Sequence, residues 1–437
     1  MKQNNILIDE YSFNSLIVTC GINQNLHALS ETYKELLSSN IIVTTVLKNS
    51  LIISFAKCNN IKNSLEIFYG MSSSERDMRT WSAILSALTQ ERGYLSEALA
   101  VYQDMKHNCI PFDIYIWGSL ISVCSLNQNL PQLEYFHNEI VLNDNIAKSP
   151  DIVNGLISAF GKCNCFQRSI QLFNSMSHDQ INSRTWSAIL SACHQEKGHL
   201  KEALHLLEKI KKNNIPIDEY MWGSIITTCG VNQDLSTLNE IFTEITLTNK
   251  EITTGVYNAL ITAYSKCGDF ETSLNIFNKM NPKVINLRTW SSIFSACSQY
   301  QGNLEVVVNL FQLMESNQIP INEYIWISII TTCGINQNYH FLKYFHNKLP
   351  LETTSLHLYN TLIISYARCL QFQTSLMIFN QLPSSILDSE TWATIISACK
   401  EEEGHLKEAL HLFQTMRENN IEINEYAWCS MVTVCGI

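Results

Sequence analysis

A long internal repeat constrains the fold of this chain more than any other feature of its sequence. Three residue series step along the chain by the same 105, 104 and 102 residues. Two are tryptophan series and the third is an asparagine series: Trp81, Trp186, Trp290 and Trp392; Trp117, Trp222, Trp326 and Trp428; Asn49, Asn154, Asn258 and Asn360. One set of intervals shared by three series shows that a single block of sequence is repeated.

Each long repeat contains three units of 33 to 36 residues, as in 254–286, 287–322 and 323–355. Each unit has two apolar stripes with the i, i+3, i+4, i+7 spacing of an α-helix. Examples are Tyr257, Leu260, Ile261 and Tyr264 in a first helix, and Ala203, Leu206, Leu207 and Ile210 in a second. One helical hairpin cannot bury its apolar stripe alone, so neighbouring hairpins must stack. The sequence therefore predicts an all-α solenoid.

The composition agrees with this fold and excludes several others. The 437 residues are 46% hydrophobic, which is enough for a core, and they contain only 15 glycines and 8 prolines. No apolar run reaches the roughly 18 residues that cross a bilayer, and residues 1–11 lack a signal-peptide stretch, so no membrane partner is expected. The net charge of −11 counts against a nucleic-acid partner, and any such function must overcome it.

The chain is predicted to be a single array over residues 1–437. Residues 1–6 align with 416–421, the end of a second helix, so residues 1–9 are expected to be the end of a truncated repeat. Residues 10–424 then hold twelve full repeats, and 425–437 begin a further truncated repeat. This organisation suggests a fragment of a longer array or an incomplete gene model.

The unit sequences closely resemble the pentatricopeptide repeat. The resemblance is carried by segments such as 256–269 (VYNALITAYSKCGD), followed by Leu274, Ile276, Phe277 and Met280. The order of unit lengths is similar to the long, short and ordinary variants that alternate in the plant-type editing-factor subclass. The long-like units carry 219–222 (EYMW) and Cys229-Gly230, and the short-like units carry a Lys-Cys-Gly turn. The characteristic Trp, Leu-Gly and Tyr pattern of the tetratricopeptide repeat is not visible.

The resemblance implies a right-handed superhelix of about twelve hairpins that binds single-stranded RNA, one base per repeat. It also implies a location in mitochondria or plastids, and a role in the editing, stability, splicing or translation of transcripts. Other RNA-processing proteins are further expected partners.

In that family, two residues of each repeat select the base: the residue after the first-helix aromatic and the last residue of the repeat. In the short-like units these are Asn49 with Asp77, Asn154 with Asn182, Asn258 with Asn286, and Asn360 with Asp388. In the ordinary units they are Ser82 with Asp113, Ser187 with Asp218, and Ser291 with Asn322. By resemblance the short-like pairs prefer U, C, C and U, and the ordinary pairs prefer G, G and A.

Some repeats cannot be decoded from this resemblance. The pair Ala393 with Asn424 departs from the pattern. Most long-like units have no side chain suited to hydrogen-bonding at the first site; the residues there are Asn14, Gly118, Gly223, Ile327 and Cys429. With the N-terminus of the protein at the RNA 5′ end, the hypothesis for the target is 5′-UGnCGnCAnU-3′.

A structural interpretation competes with base reading at both sites. The last residues Asp113, Asp218, Asn322 and Asn424 precede a helix, where Asp and Asn are favoured N-caps, so the two interpretations are evenly balanced there. The asparagines at 49, 154, 258 and 360 lie inside a predicted helix, so capping cannot explain them. Asn also has a low helix propensity. We expect them on the exposed side, as a functional surface. Recent duplication without function would also preserve them.

Two more series fit an RNA groove. The cations Lys57, Lys162, Lys266 and Arg368 recur once per long repeat and suit a phosphate backbone, although they would also stabilise a helix C-terminus. The stacking candidates are Tyr115, Tyr220 and Tyr324, together with Arg79, Arg184 and Arg288. Tyr11 and Tyr426 extend the first set, whereas Glu390 interrupts the second. Tyrosines packed against the preceding hairpin are an equally weighted alternative.

The sequence contains no pattern typical of catalysis, of a metal site or of a cofactor site. Twelve of the fifteen cysteines fall in three fixed registers, two of them on the apolar stripe, where Cys acts as a small hydrophobe. Residues 137–139 (HNE) match the H-x-E of zinc deaminases, but no Pro-Cys-x-x-Cys accompanies them. No phosphate loop, nucleophile elbow or paired carboxylates occur. No enzymatic activity, cofactor or metal is therefore predicted.

The sequence as a whole predicts a non-catalytic, sequence-selective adaptor for single-stranded RNA. The alternative is a protein–protein scaffold whose concave groove holds a peptide or a partner helix. An RNA-editing enzyme would require a deaminase domain that these residues do not contain.

Overall fold

A computed structural model of the chain describes residues 9–39, 41–142, 144–177, 179–247, 251–350, 355–384, 386–402, 404–419 and 421–436. These residues form helices and turns without a β-strand, which confirms the all-α prediction. None of the helices in these ranges is long and apolar enough to cross a membrane. Residues 1–8 of the predicted truncated repeat, and Ile437, lie outside the described residues. The chain divides into two compact units, 1–228 and 229–437.

The helices of the first unit follow each other as hairpins of a first and a second helix. They are α1 Glu10–Ile22 and α2 Leu26–Ser38, α3 Thr45–Lys57 and α4 Ile61–Tyr69, α5 Met78–Leu88 and α6 Leu95–His107, α7 Ile114–Leu126 and α8 Leu130–Val141, the short α9 Asp144–Ala147, α10 Pro150–Lys162 and α11 Phe166–Ser175, α12 Ser183–Cys193 and α13 Leu200–Lys212. The helix α14 Glu219–Asn232 contains the boundary between the two units.

The second unit continues with the same pattern of paired helices. They are α15 Leu235–Leu247, α16 Thr254–Lys266 and α17 Phe270–Lys279, a 3₁₀ turn Pro282–Val284, α18 Leu287–Cys297 and α19 Leu304–Ser316, α20 Glu323–Ile335 and α21 Tyr339–Lys348, α22 Leu356–Arg368 and α23 Phe372–Gln381, α24 Ser389–Ala398 and α25 Leu406–Glu418, and α26 Glu425–Gly436. The first helices are α3, α10, α16 and α22 in short-like units, α5, α12, α18 and α24 in ordinary units, and α1, α7, α14, α20 and α26 in long-like units.

The first helices form a continuous layer in each unit. In the first unit α1, α3, α5, α7, α10 and α12 contact one another in this order, and in the second unit α16, α18, α20, α22, α24 and α26 do the same. Second helices pack on the first helix of their own hairpin and on that of the next hairpin, as α4 does on α3 and α5. The core lies between these two layers and contains fully buried rings such as Phe55, Phe136, Tyr264 and Phe345.

Two side-chain contacts recur around the short-like units. Within each hairpin a buried serine of the second helix donates a hydrogen bond of 2.7–2.9 Å to a first-helix carbonyl: Ser64 to Ile52, Ser169 to Ile157, Ser273 to Ile261 and Ser375 to Ile363. Between hairpins, a second-helix phenylalanine packs edge-on against the next tryptophan, with centroids 4.9–5.2 Å apart: Phe68 on Trp81, Phe173 on Trp186, Phe277 on Trp290 and Phe379 on Trp392. The tryptophans that recur in the sequence therefore mark a packing contact that recurs between hairpins.

Consecutive first helices approach each other closely at a few small residues. A Cβ atom added to Gly161 of α10 would lie 2.6 Å from the Cβ atom of Ala192 in α12. One added to Gly334 of α20 would lie 2.8 Å from the Cβ atom of Ser365 in α22. Because real Cβ atoms do not approach so closely, only glycine permits this helix separation.

Six of the eight cysteines in the first two registers are buried as predicted. Cys124, Cys193, Cys229, Cys297, Cys333 and Cys399 are buried, and burial raises the pKa of each thiol to about 12. They behave as small apolar side chains. Cys20 is half-buried and Cys435 is exposed.

The helix separation can be tested with two glycines of adjacent first helices. Gly161→Ala should destabilise the protein by about 1–3 kcal/mol, because α10 and α12 must move apart. Gly118→Ala in α7, where an added Cβ atom meets nothing within 4 Å, should instead stabilise it by about 0.5–1 kcal/mol. Urea unfolding followed by circular dichroism measures both changes. Equal midpoint shifts in the same direction would contradict the close approach.

Candidate nucleic-acid interface

The four predicted asparagines lie in the first helices of the short-like units, and they are buried. The exposed fractions are 9% for Asn49, 9% for Asn154, 5% for Asn258 and 7% for Asn360. The expectation that they lie on the exposed side is therefore wrong. The next first helix packs against the helix that carries each of them.

Each of these buried side chains keeps polar atoms without a partner. The Oδ1 atoms of Asn49, Asn258 and Asn360, and both amide atoms of Asn154, make no hydrogen bond. An unsatisfied buried polar atom costs on the order of 1–3 kcal/mol, so such groups are rare in folded proteins. The same unsatisfied amide recurs at the equivalent place in four repeats, so it is a constant feature of the short-like unit.

An open cleft borders one of these amides. It has a volume of about 510 Å³, lies among α22, α24 and α26 of the second unit, and is lined by Asn360, Ala393 and Asn424. These three residues occupy base-reading positions of two consecutive repeats. Asn360 is therefore covered by protein but still borders a space that a ligand can enter.

The structure brings two of the seven predicted pairs into direct contact. Asn49 Nδ2 donates to Asp77 Oδ1 at 3.4 Å, and Asn322 Nδ2 donates to Ser291 Oγ at 3.3 Å. The members of these pairs are 28 and 31 residues apart in sequence, so stacking of the hairpins creates the contact. In the other five pairs the described atoms form no direct hydrogen bond; for example, Ser187 Oγ donates to the carbonyl of Ser183.

All eight last residues of the short-like and ordinary units are helix N-caps. Their Oδ1 atoms accept backbone N–H bonds of 2.7–3.1 Å at Asp77, Asp113, Asn182, Asp218, Asn286, Asn322, Asp388 and Asn424. The capping interpretation is therefore confirmed, and it extends to the short-like units. Asn182 and Asn286 form full capping boxes with Thr185 and Thr289.

Capping does not use the atom that distinguishes Asp from Asn, although at Asp218 this atom accepts a hydrogen bond of 3.2 Å from Ser183 Oγ. Every cap uses Oδ1, which Asp and Asn share, whereas the second atom is an acceptor oxygen in Asp and a donor NH₂ in Asn. At Asn322 this second atom already reaches Ser291. At Asp77, burial would raise the carboxyl pKa, but hydrogen bonds from Thr80 and Asn49 outweigh it and lower the pKa. Capping by Oδ1 therefore places no constraint on whether the second atom is an oxygen or a nitrogen.

The predicted phosphate-binding cations are the last residues of their helices. Lys57, Lys162, Lys266 and Arg368 end α3, α10, α16 and α22, and none forms an ion pair with a described residue. Their position satisfies the helix dipole, as the alternative requires. Residues 357, 361 and 364 of α22 line the cleft. Arg368 follows residues 364 and 361 at the helical spacings i+4 and i+7, so it lies on the same face of α22. Both interpretations fit this geometry.

The predicted stacking residues are accessible to solvent. Tyr115, Tyr220 and Tyr324 are 71–73% exposed, so the alternative that they pack against the preceding hairpin is wrong. Arg79, Arg184 and Arg288 are exposed as well. Arg184 lies 3.7 Å from the carboxylate of Asp151, in a solvent-exposed pair.

The cleft also contains residues that sequence reasoning missed. His357, Thr361 and Ile364 line it from α22, and Ser397 lines it from α24. The available signal was helical spacing: His357 and Ile364 stand at i−3 and i+4 from Asn360, and Ser397 stands at i+4 from Ala393. His137, the first residue of the H-x-E match, is half-buried against Phe160. No cluster of metal-binding side chains occurs in the described ranges.

The fold and this interface define a class of protein: an α-solenoid of helical hairpins, here with a cleft among the first helices α22, α24 and α26. Within that class, the model of the PPR (pentatricopeptide) repeat matches residues 46–75, 151–181, 255–281, 357–385 and 390–421. Five segments of the chain therefore match the pentatricopeptide repeat, in agreement with the predicted resemblance.

Curated proteins that are similar to the chain include pentatricopeptide repeat proteins of Arabidopsis thaliana. The mitochondrial protein At2g03380 is 24% identical over 98% of this chain and 60% of its own length. The chloroplastic protein At4g18520 is 23% identical over 90% of this chain and 62% of its own length. The chain thus spans about three fifths of the length of these two relatives.

A solved structure shares the fold. The pentatricopeptide repeat protein PPR10, in complex with an 18-nucleotide psaJ RNA element, matches with a TM-score of 0.56 at 15% identity. The match covers 98% of this chain and 66% of the PPR10 chain. At this identity the match shows the solenoid fold.

The separation of capping from base selection can be tested at Asp77. Asp77→Ala should destabilise the protein by about 1 kcal/mol, because the N–H of Thr80 loses its acceptor. Asp77→Asn should keep the stability within a few tenths of a kcal/mol, because Asn supplies the same Oδ1. Thermal unfolding compares the two variants. Equal destabilisation would show that the second carboxylate oxygen also supports the fold.

Proposed function

We propose that this protein is a non-catalytic, sequence-selective adaptor that binds single-stranded RNA in organellar RNA processing. The observation that carries the proposal is the buried, unpartnered amide at residues 49, 154, 258 and 360. An RNA base edge supplies the donors and acceptors that these amides lack. A purely structural role would be served at lower free-energy cost by an apolar side chain.

The relatives support this proposal. PPR10 has been solved in complex with RNA, and the names of the relatives place them in mitochondria or chloroplasts. We therefore propose an organellar location. The alternation of unit lengths leads us to propose the long, short and ordinary subclass as well.

The arrangement divides binding among three kinds of group. The amides of the short-like units, and the second atoms of the capping residues, hydrogen-bond to base edges. The exposed tyrosines stack on bases, each contributing roughly 1–3 kcal/mol irrespective of base identity. The cations at residues 57, 162, 266 and 368 attract phosphates. With a net charge of −11, non-specific attraction is weak, so affinity depends on the base contacts.

A competition gel shift with the full chain tests this function. The labelled 10-mer 5′-UGnCGnCAnU-3′, with n as U, should bind, and a scrambled 10-mer of the same composition should compete at least about tenfold less well. The scrambled RNA controls for charge and length. Equal competition by both RNAs, or no binding, would remove the RNA-reading function and leave the peptide-binding scaffold.

The individual readers are tested at one short-like unit. Asn258→Ser combined with Asn286→Asp should shift the preference at the seventh nucleotide from C toward G, because the pair then matches Ser187 with Asp218. Asn275→Ser, an exposed asparagine on the second helix of the same hairpin, is the control and should change nothing. Competition with four RNAs that differ at this nucleotide gives the readout. An unchanged preference for C would show that residues 258 and 286 are not the readers.

A further inference from the structure

The cleft among α22, α24 and α26 differs chemically from the equivalent positions of the other ordinary units. Ala393 replaces the serine found at residues 82, 187 and 291, so its hydroxyl is absent. Glu390 replaces the arginine found at residues 79, 184 and 288, so a cation becomes an anion. Both residues line the cleft together with Asn424 and Tyr426. The two-residue rule does not decode this unit, so its preference must be derived from the cleft itself.

The polar groups in this cleft form a defined set of acceptors and donors. The carboxylate of Glu390 makes no hydrogen bond or ion pair with the described side chains, so both oxygens are free acceptors. Asn424 uses Oδ1 to cap Ala427 at 2.9 Å, which leaves its NH₂ as a donor. Tyr426 is 79% exposed and offers a ring face. Asn360 also lines the cleft, is 7% exposed and has an unpartnered Oδ1.

Among the four RNA bases, guanine alone presents two adjacent donors on its Watson–Crick edge, N1–H and N2–H, beside the acceptor O6. A carboxylate accepts both of those N–H bonds, as it does from a guanidinium. Adenine, cytosine and uracil each place at least one acceptor against the carboxylate, which repels it.

We propose that this cleft binds guanine, with Glu390 accepting from N1–H and N2–H, Asn424 donating to O6, and Tyr426 stacking on the ring. The inference rests on the proposed RNA-binding function and extends its target by one nucleotide, to 5′-UGnCGnCAnUG-3′. It also makes Glu390 a specificity-determining residue outside the two-residue rule. In the other units a last-residue Asn accompanies A or C, so the cleft and the family pattern predict different bases.

The test uses four 11-mers that share the first ten nucleotides and differ only at the eleventh. With the full chain, the G-ending RNA should bind about tenfold more tightly than each of the other three, measured by fluorescence anisotropy. Glu390→Gln, which has only one acceptor oxygen, should remove most of this preference without changing the base preferences at the first ten nucleotides. Glu305→Gln, an exposed glutamate on α19, gives the same change in charge and should leave the preference intact.

The outcomes separate this inference from the proposed function. Preference for A or C at the eleventh nucleotide, or equal binding of all four RNAs while the first ten nucleotides are still read, overturns the guanine assignment alone. A preference for G that persists in Glu390→Gln overturns the role of Glu390. Failure to distinguish the 10-mer from its scrambled control overturns both the RNA-binding function and this inference.

Discussion

The close stacking of consecutive first helices is the constraint on which the rest of the structure depends. At Gly161 and Gly334 the helices approach until a single added methyl group would collide with the neighbouring helix. This separation places the last residue of one repeat beside the first helix of the same repeat, so that Asn49 meets Asp77 and Ser291 meets Asn322. It also covers the helix-interior asparagines. A looser stack would expose them to water, which would satisfy their amides without selecting any base.

Much of the fold could be predicted from the sequence, because each hairpin repeats a local pattern. Helical spacing identified the buried stripe, and the tryptophan period marked the packing between hairpins. The burial of Asn258 could not be predicted in this way. The spacing of apolar residues indicates on which face of its helix a residue lies, but it gives no distance between that helix and the next one. The exposure of Tyr220 was undecided for the same reason: an aromatic at a helix start packs or projects depending on where the preceding hairpin lies. The cleft residues His357 and Glu390 depend on three helices meeting, which no single unit encodes.

The free energy of this interface is divided between folding and recognition. Helix N-caps, buried serines and edge-on Phe–Trp contacts stabilise the hairpins whether or not RNA is bound. The unpartnered amides oppose folding, and in the proposed function a base edge offsets this cost. In that function the chain keeps its scaffold in the absence of target and gains from each correct base, which suits an acidic protein that attracts polyanions weakly.

The use of one oxygen for every N-cap has an evolutionary consequence. Asp and Asn codons differ by a single nucleotide, and exchange between them leaves the Oδ1 cap in place. Under the proposed base reading, such a mutation retargets a repeat without passing through a poorly folded intermediate. An array that reads RNA in this way would follow drifting transcript sequences one repeat at a time, and the number of available mutations, rather than the tolerance of the scaffold, would then limit the diversity of its targets.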